Sequence, residues 1–281
     1  MFTTLISTDE LGKVLGRPDV VICDVRHDLA QPDTWGEAEY AKAHVPGAQF
    51  VHIDRDLSAP KTGSNGRHPL PAPEAAAALF SRLGIDDHKQ VVVYDQGNGM
   101  YAARLWWMLH WLGHDAAAVL DGGLVEWQRE GRATTGVVPK AHAASFGIRR
   151  VTPTLNAAGV RASLNRRTLF LVDARAPERF RGEVEPIDPV AGHIPGAHNR
   201  PFTQNLDADG TFKLPAFLRA EFMALLDGAS HETVVHQCGS GVSACHNILA
   251  MEVAGLPGTR LYPGSWSEWS ADPARPIERG P

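Results

Sequence analysis

Thr233-Val234-Val235-His236-Gln237-Cys238-Gly239-Ser240-Gly241-Val242-Ser243 is the stretch that decides the fold. A short apolar run ends at Cys238, a loop of small residues follows, and an amphipathic stretch from Ala244 to Ala254 is stopped by Gly255. This order predicts strand, tight loop, helix. A thiol at the end of such a strand faces backbone N–H groups and the positive end of a helix dipole, both of which favour thiolate over thiol. Small residues let the backbone curl around a bound anion with its N–H groups pointing inward. The segment reads as a nucleophilic cysteine in an anion cradle, with a buried structural cysteine at a strand end as the plainer alternative.

The same layout occurs twice. Asp24-Val25-Arg26 returns as Asp173-Ala174-Arg175, and His44-Val45-Pro46-Gly47-Ala48 returns at the same offset as His193-Ile194-Pro195-Gly196-Ala197. The helix pattern from Pro73 to Gly84 returns from Pro215 to Gly228, and the helix stop Gly113 returns as Gly255. Val91-Val92-Val93-Tyr94-Asp95 returns as Val234 to Cys238. Leu120-Asp121-Gly122-Gly123 matches Leu261-Tyr262-Pro263-Gly264, and each is followed by a Glu-Trp pair, Glu126-Trp127 and Glu268-Trp269. The period is too long for a solenoid and means two domains of one fold, which suits a chain of 281 residues. The stretch between the copies lacks periodicity and is rich in Gly, Ala and Thr. It places a first domain at 1–135, a linker at 136–152 and a second domain at 153–281. Strands are expected at Val20–Val25, Gln49–Ile53, Val91–Tyr94 and Ala117–Leu120, then at Leu169–Asp173, Val234–Gln237 and Arg260–Tyr262. Helices are expected at Ala72–Leu83, Tyr101–Leu112, Pro215–Leu226 and Ala244–Ala254. Such alternation predicts an α/β fold with a parallel sheet in each domain, and sites at the carboxyl ends of strands, where Cys238 stands. Trp106, Trp107 and Trp111 fall at helical spacing with Leu105 and Leu109 and read as packing residues.

Two chemistries use a cysteine in such a cradle. Phosphate-ester cleavage by the Cys-x5-Arg enzymes needs an arginine six positions after the cysteine; Ala244 stands there, which argues against a phosphatase or arsenate reductase. The other is sulfur transfer through a cysteine persulfide. Cys238-Gly239-Ser240-Gly241-Val242-Ser243-Ala244 resembles the active loop of the rhodanese superfamily, most closely that of the 3-mercaptopyruvate sulfurtransferases, with Ser243 where those typically have threonine. Asp-x-Arg followed by His-x-Pro-Gly-Ala, present in both halves, extends the resemblance over nearly the whole chain. It implies two tandem rhodanese-like domains, each a mostly parallel sheet flanked by helices. The first would be catalytically silent, because Asp95 replaces the cysteine.

The resemblance also implies a persulfide on Cys238, a cradle from Gly239, Gly241, Val242 and Ser243, and no metal or cofactor. The expected donor is 3-mercaptopyruvate and the acceptor a thiol, cyanide or a thioredoxin-like reductant. A thiosulfate:cyanide sulfurtransferase, or a persulfide relay to a protein thiol, are the alternatives. Arg179, in Arg175-Ala176-Pro177-Glu178-Arg179-Phe180-Arg181, matches the arginine that holds the donor's anionic end. Arg175 is expected to pair within its own domain, as Arg26 would, and His44 and His193 to be structural. Many relatives carry a second arginine after Glu-Pro, whereas Ile187 follows Glu185-Pro186 here. The first copy is longer between Gln49 and Ala72, a turn-rich stretch containing Asp54, Lys61-Thr62-Gly63-Ser64-Asn65-Gly66-Arg67 and His68. This loop is expected to reach the Cys238 cradle, where Ser240, His68 and Asp54 would form a proton relay.

Composition adds boundaries. The net charge of −5 is mild and mixed, without basic blocks, which disfavours nucleic acid and anionic membrane surfaces. No apolar run has the length of a transmembrane helix. Met1 to Gly16 carries Asp9 and Glu10 and does not read as a signal peptide. Cys23, Cys238 and Cys245 form neither a disulfide framework nor a zinc spacing, which suits the reducing cytoplasm. Cys23 reads as core, and Cys245 as a structural residue on the helix after the cradle.

Overall fold

Runs of Val and Ile with few polar residues need cover on both faces, and they form the centre of two parallel sheets. The computed structural model describes residues 1–140, 142–164 and 168–281. In the first sheet the strands are β1 (Leu5–Ile6), β2 (Val20–Asp24), β3 (Ala48–Phe50), β4 (Gln90–Tyr94) and β5 (Ala117–Leu120), in the order β1-β5-β4-β2-β3 and all parallel. The second sheet comprises β6 (Phe170–Asp173), β7 (His198–Asn199), β8 (Val234–Gln237) and β9 (Arg260–Leu261), in the order β7-β6-β8-β9, again parallel. Helices accompany both. Among the first are α1 (Thr8–Val14), α2 (Trp35–Lys42), α3 (Pro73–Arg82), α4 (Ala102–Trp111) and α5 (Gly123–Arg129). The remainder are α6 (Ala157–Leu164), α7 (Pro177–Phe180), α8 (Pro215–Leu226), α9 (Ser243–Val253) and α10 (Ser265–Trp269). The α/β reading with two copies of one parallel design holds. The elements that periodicity does not reveal are short: β1, β7 and α7 have two to four residues, and α1, α2, α5, α6 and α10 have five to eight.

The repeat is visible in individual contacts. Arg26 pairs with Asp24 at 2.8 Å and Arg175 with Asp173 at 2.7 Å, both pairs buried at strand ends. His44 stacks on Tyr40 and His193 on Phe180, and each uses Nδ1 toward a backbone carbonyl, of Tyr40 and Phe180 respectively. These residues are structural, as expected. The tryptophans of α4 are buried, and Trp106 donates to the Thr3 and Ala117 carbonyls.

The chain divides into two units. One comprises Met1–Ala59, Pro71–Thr152 and Ala208–Thr211; the other comprises Pro60–Leu70, Pro153–Asp207 and Phe212–Pro281. The stretch read as a linker therefore runs along the first unit. Ala144 N–H donates to the Ser81 carbonyl, Phe146 packs edge-on against Phe80, and Thr152 N–H donates to the Trp111 carbonyl. Conversely, residues 60–70, part of the longer loop of the first copy, belong to the second unit.

At the end of β4 the first unit resolves its own electrostatic problem. Asp95 is buried, and its carboxylate accepts the N–H groups of Gly97 and Gly99 on Oδ1 and of Tyr101 and Ala102 on Oδ2, at 2.9–3.2 Å. Asp95 thus fills an anion cradle with a side chain of the same loop. Asp95→Ala would strand these donors, and the transition assigned to the first unit should lose about 2–4 kcal/mol of stability. Thermal or urea unfolding should show Asp95→Asn falling between that variant and wild type. A wild-type midpoint for Asp95→Ala would mean that the four hydrogen bonds contribute nothing.

Candidate active site

The second unit repeats the strand-end geometry with a thiol in place of the carboxylate. In the first unit Leu124 and Val125 N–H donate to the carbonyls of Asp95 and Gln96; in the second, Trp266 and Ser267 N–H donate to those of Cys238 and Gly239. Cys238 is therefore the structural counterpart of Asp95. It is 2% exposed, follows β8 directly, and its Sγ accepts the Gly241 N–H at 3.1 Å. Gly241 has φ +79, and a Cβ there would lie 2.3 Å from the Pro263 carbonyl oxygen, so the loop can curl this tightly only with glycine. Val242 caps α9 and Ser243 is its first residue, which brings the helix N-terminus to the loop.

Ser265 was not singled out by the sequence. Its φ is +55, a left-handed conformation costly for a residue with a side chain; the bonds that make Trp266 the counterpart of Leu124 set it opposite Gly123 (φ +57), one position on from the Gly264 that the sequence pairs with Gly123. Its Oγ accepts the Cys238 N–H at 3.1 Å and donates to the Tyr262 carbonyl at 2.9 Å. The hydroxyl anchors the backbone beneath the thiol.

Ser240 and His68 come together: Ser240 Oγ lies 2.7 Å from His68 Nδ1, with both residues buried. His68 is placed there by its neighbours. Arg67 N–H donates to Ser267 Oγ at 3.0 Å, so the 60–70 segment is tied to the start of α10, the same turn that holds the Cys238 carbonyl. Asp54 belongs to the first unit, where its carboxylate stands 4.0 Å from His27 Nε2 and its N–H donates to His52 Nδ1.

Arg179 also reaches the loop. A Cβ on Gly239 would lie 3.7 Å from both its Nη1 and its Nη2. Arg179 Nη2 is held by Glu185 Oε1 at 2.7 Å and by Asp188 Oδ2 at 3.2 Å. Burial acts to raise the Glu185 carboxyl, but Arg179 and the N–H groups of Asp188 and Ile187 outweigh it and hold the group below the usual carboxylate range. Arg175 points instead into its own unit, toward Asp173, Glu185 and the face of Trp266. Burial acts against its charge, yet the Asp173 carboxylate, then Glu185 and Cys238, raise it above the ordinary arginine value. Ile187 is 43% exposed. None of the three cysteines is in a disulfide; burial, and then Asp24, push the Cys23 thiol up to about 12, and Cys245 Sγ donates to the Gly241 carbonyl at 3.3 Å. Among the described residues no group of three or more His, Cys, Asp or Glu could hold a metal ion, and no helix is long and apolar enough to cross a membrane.

These features recur in known proteins. The rhodanese-like domain family matches residues 7–130 and 156–272. Over 279 residues the chain is 47% identical to a probable 3-mercaptopyruvate sulfurtransferase of Pseudomonas aeruginosa, with 98% of each chain covered. It is 42% identical over 287 residues to a putative thiosulfate sulfurtransferase of Mycobacterium tuberculosis, covering 98% and 97% of the two chains. Superposition on the crystal structure of SseA from Escherichia coli, a 3-mercaptopyruvate sulfotransferase of the rhodanese fold, gives a TM-score of 0.82. The identity there is 32%, over 94% of this chain and 99% of that one.

Two residues before the thiol, His236 lies fully buried on β8 with neither ring nitrogen hydrogen-bonded among the described residues. Burial lowers it from 6.5 to about 3, so the folded protein keeps it neutral. Below pH 6.5 the unfolded chain takes up a proton that the folded one refuses, until about pH 3. Stability should therefore fall on acidification across this window, by up to about 1.4 kcal/mol per pH unit for one group. His236→Leu should keep its stability at pH 7.5 and lose less at pH 5. Parallel urea midpoints for the two proteins across that range would contradict the assignment.

Proposed function

The chain belongs to the rhodanese-like domain family and is a sulfurtransferase, and from that membership we propose that it moves sulfur from 3-mercaptopyruvate to a thiophilic acceptor through a persulfide on Cys238. The observation that carries the donor is the buried contact between Ser240 and His68 in the loop that starts at Cys238. Cys238 Sγ attacks the donor's sulfur; an S–S bond forms, the C–S bond breaks, and its electron pair leaves on carbon as the enolate of pyruvate. The donor's thiol proton must then reach that carbon. Ser240 Oγ, with His68 behind it, offers the route. Pyruvate departs and leaves the persulfide facing the Gly241 N–H, which stabilises its charge as an oxyanion hole would. Cyanide, a small thiol or a thioredoxin-like reductant takes the outer sulfur, and the Cys238 thiolate leaves, closing a ping-pong cycle.

Arg179 is assigned to the donor's carboxylate, since its guanidinium faces the loop at Gly239. Asp54 enters only as the expected third member of the relay, and Asp54→Asn in the assay below tests it. Three buried cysteines outside any disulfide suit a reducing compartment, and we place the enzyme in the cytoplasm. Thiosulfate is the second reading. The Mycobacterium tuberculosis relative carries that name, and a donor that releases sulfite needs no proton relay.

Two experiments test this. Intact mass measurement after incubation with donor should show one added sulfur on wild type, Cys23→Ser and Cys245→Ser, and none on Cys238→Ser, which should also lose turnover. A fully active Cys238→Ser would end the proposal. For the donor, Ser240→Ala and His68→Ala should each depress mercaptopyruvate turnover far more than thiosulfate turnover, by about 100-fold if proton transfer limits the step. The double variant should be little worse than either, because groups acting as a unit are not additive. Equal losses with both donors would move the enzyme to the thiosulfate branch.

A further inference from the structure

Helix α8 is apolar on nearly every side. Leu218 and Phe222 are buried and turn one face toward the core of the second unit. The opposite face is centred on Ala220, because residues advance by about 100° per position around a helix. It carries Ala216, Phe217, Met223 and Ala224, all exposed, with Phe217 at 62% and Met223 at 45%. A helix apolar all round is ordinarily covered on both faces. The internal repeat supplies the comparison. In the first unit α3 starts at Pro73, the match of Pro215, and buries Ala76 and Phe80 where α8 buries Leu218 and Phe222. Outward, Glu74 and Arg82 stand where α8 has Ala216 and Ala224, Ala75 where it has Phe217, and Ser81 where it has Met223. The inward face is kept apolar in both copies, and only α8 turns large apolar side chains to the outside. Packing within the unit does not require them, and contiguous exposed apolar residues mark a contact surface.

We propose that α8 is a self-association surface, on which a second copy of this chain packs its own α8 antiparallel about a two-fold axis through Ala220. The sequence around that residue complements its own reverse. The two-fold sets each residue before Ala220 against the one equally far after it in the second copy. Phe217 then packs on Met223 of the second copy and Ala216 on its Ala224, while Ala220 meets its own counterpart, so no large side chain holds the helices apart. Arg219 and Glu221 flank the face on opposite sides, and the same operation places each beside the opposite charge of the second copy. Both are already steadied within their own chain: Arg219 donates to the carbonyls of Ala254 and Gly255, and Glu221 pairs with Arg200 and Lys213. The charges therefore fix the direction of pairing rather than oppose it. Such an isologous contact closes at two copies. The twelve residues of α8 span about 18 Å, a small contact beside that of an obligate dimer, so association is reversible and depends on concentration.

Sedimentation velocity of the full chain, from low to high micromolar concentration, should show a monomer passing into a dimer. Phe217→Glu and Met223→Lys should each weaken the dimer about ten-fold or more, since each buries a lone charge at the contact. Both positions are exposed and lie outside the catalytic loop, so turnover per chain should stay that of wild type and show that the variants have folded. The two substitutions combined in one chain should recover part of the loss, because the carboxylate introduced at 217 then meets the ammonium introduced at 223 of the second copy. Within one helix these positions are too far apart to pair. In a Cys238→Ser background, Ala220→Cys should form an intermolecular disulfide on mild oxidation. Ala216→Cys should not do so alone, but should when mixed with Ala224→Cys. Wild type that stays monomeric at every concentration overturns the proposal, and if it then sediments with phosphatidylcholine vesicles the face belongs to a lipid surface instead. A dimer that Phe217→Glu leaves intact lies elsewhere on the chain and overturns it too. So does cross-linking through Ala216→Cys alone, the mark of a parallel pair.

Discussion

The inward-facing backbone N–H groups at a strand end are the constraint on which the rest of the structure depends. A loop curled between a parallel strand and a following helix directs N–H groups at a point where no backbone carbonyl can sit, so something negative must answer them. The chain answers twice over. In the first unit the Asp95 carboxylate accepts four N–H groups and leaves the cradle filled. In the second, Cys238 stands on the same scaffold, and its sulfur takes the Gly241 N–H. Because the bonds from the following helix to the strand-end carbonyls are alike in both units, the two cradles differ chiefly in the one side chain that fills them.

Holding a thiol there needs a rigid base. Ser265 sits at φ +55, where the first unit has glycine, and such strain costs on the order of 1–3 kcal/mol. The hydroxyl is what glycine lacks: it accepts the Cys238 N–H and fixes the backbone from which the sulfur projects. The strain is thus tied to position rather than to packing. Gly241 contributes the complementary constraint, since any side chain there would collide with Pro263 and open the loop. Together these two residues fix the backbone from which Sγ projects.

Much of this was legible in the sequence, and the reason is that the repeated motifs serve the backbone. Asp-x-Arg, His-x-Pro-Gly-Ala and the strand-loop-helix segments survive in both copies because each fixes a turn or a strand end locally. Residues that act through distant neighbours carry no such signal. Ser265 reads as an ordinary helix start until its torsion is known, and Asp188 as a loop carboxylate until both of its arginines are seen. Arg67 lay in a stretch whose glycines and serine advertised only turns. The spacing likewise could not separate residues 60–70 from their own half of the chain, although they pack with the second unit. Residues 142–152 lack periodicity yet are not loose: their N–H groups are met by carbonyls of Ser81, Trp111 and Leu112 near the ends of α3 and α4, where a helix has carbonyls to spare.

The charge balance around Cys238 connects these parts to the chemistry. A buried guanidinium is tolerable only beside a carboxylate, and here three of each interlock: Asp173 with Arg175, Glu185 with Arg175 and Arg179, Asp188 with Arg179 and Arg67. Such a lattice has no net charge to lend. It fixes the direction of each N–H while leaving the field near the thiol modest, apart from the dipole of α9. The arrangement therefore fixes each guanidinium by geometry rather than by net charge, with the side chains around the loop locked in place by their partners.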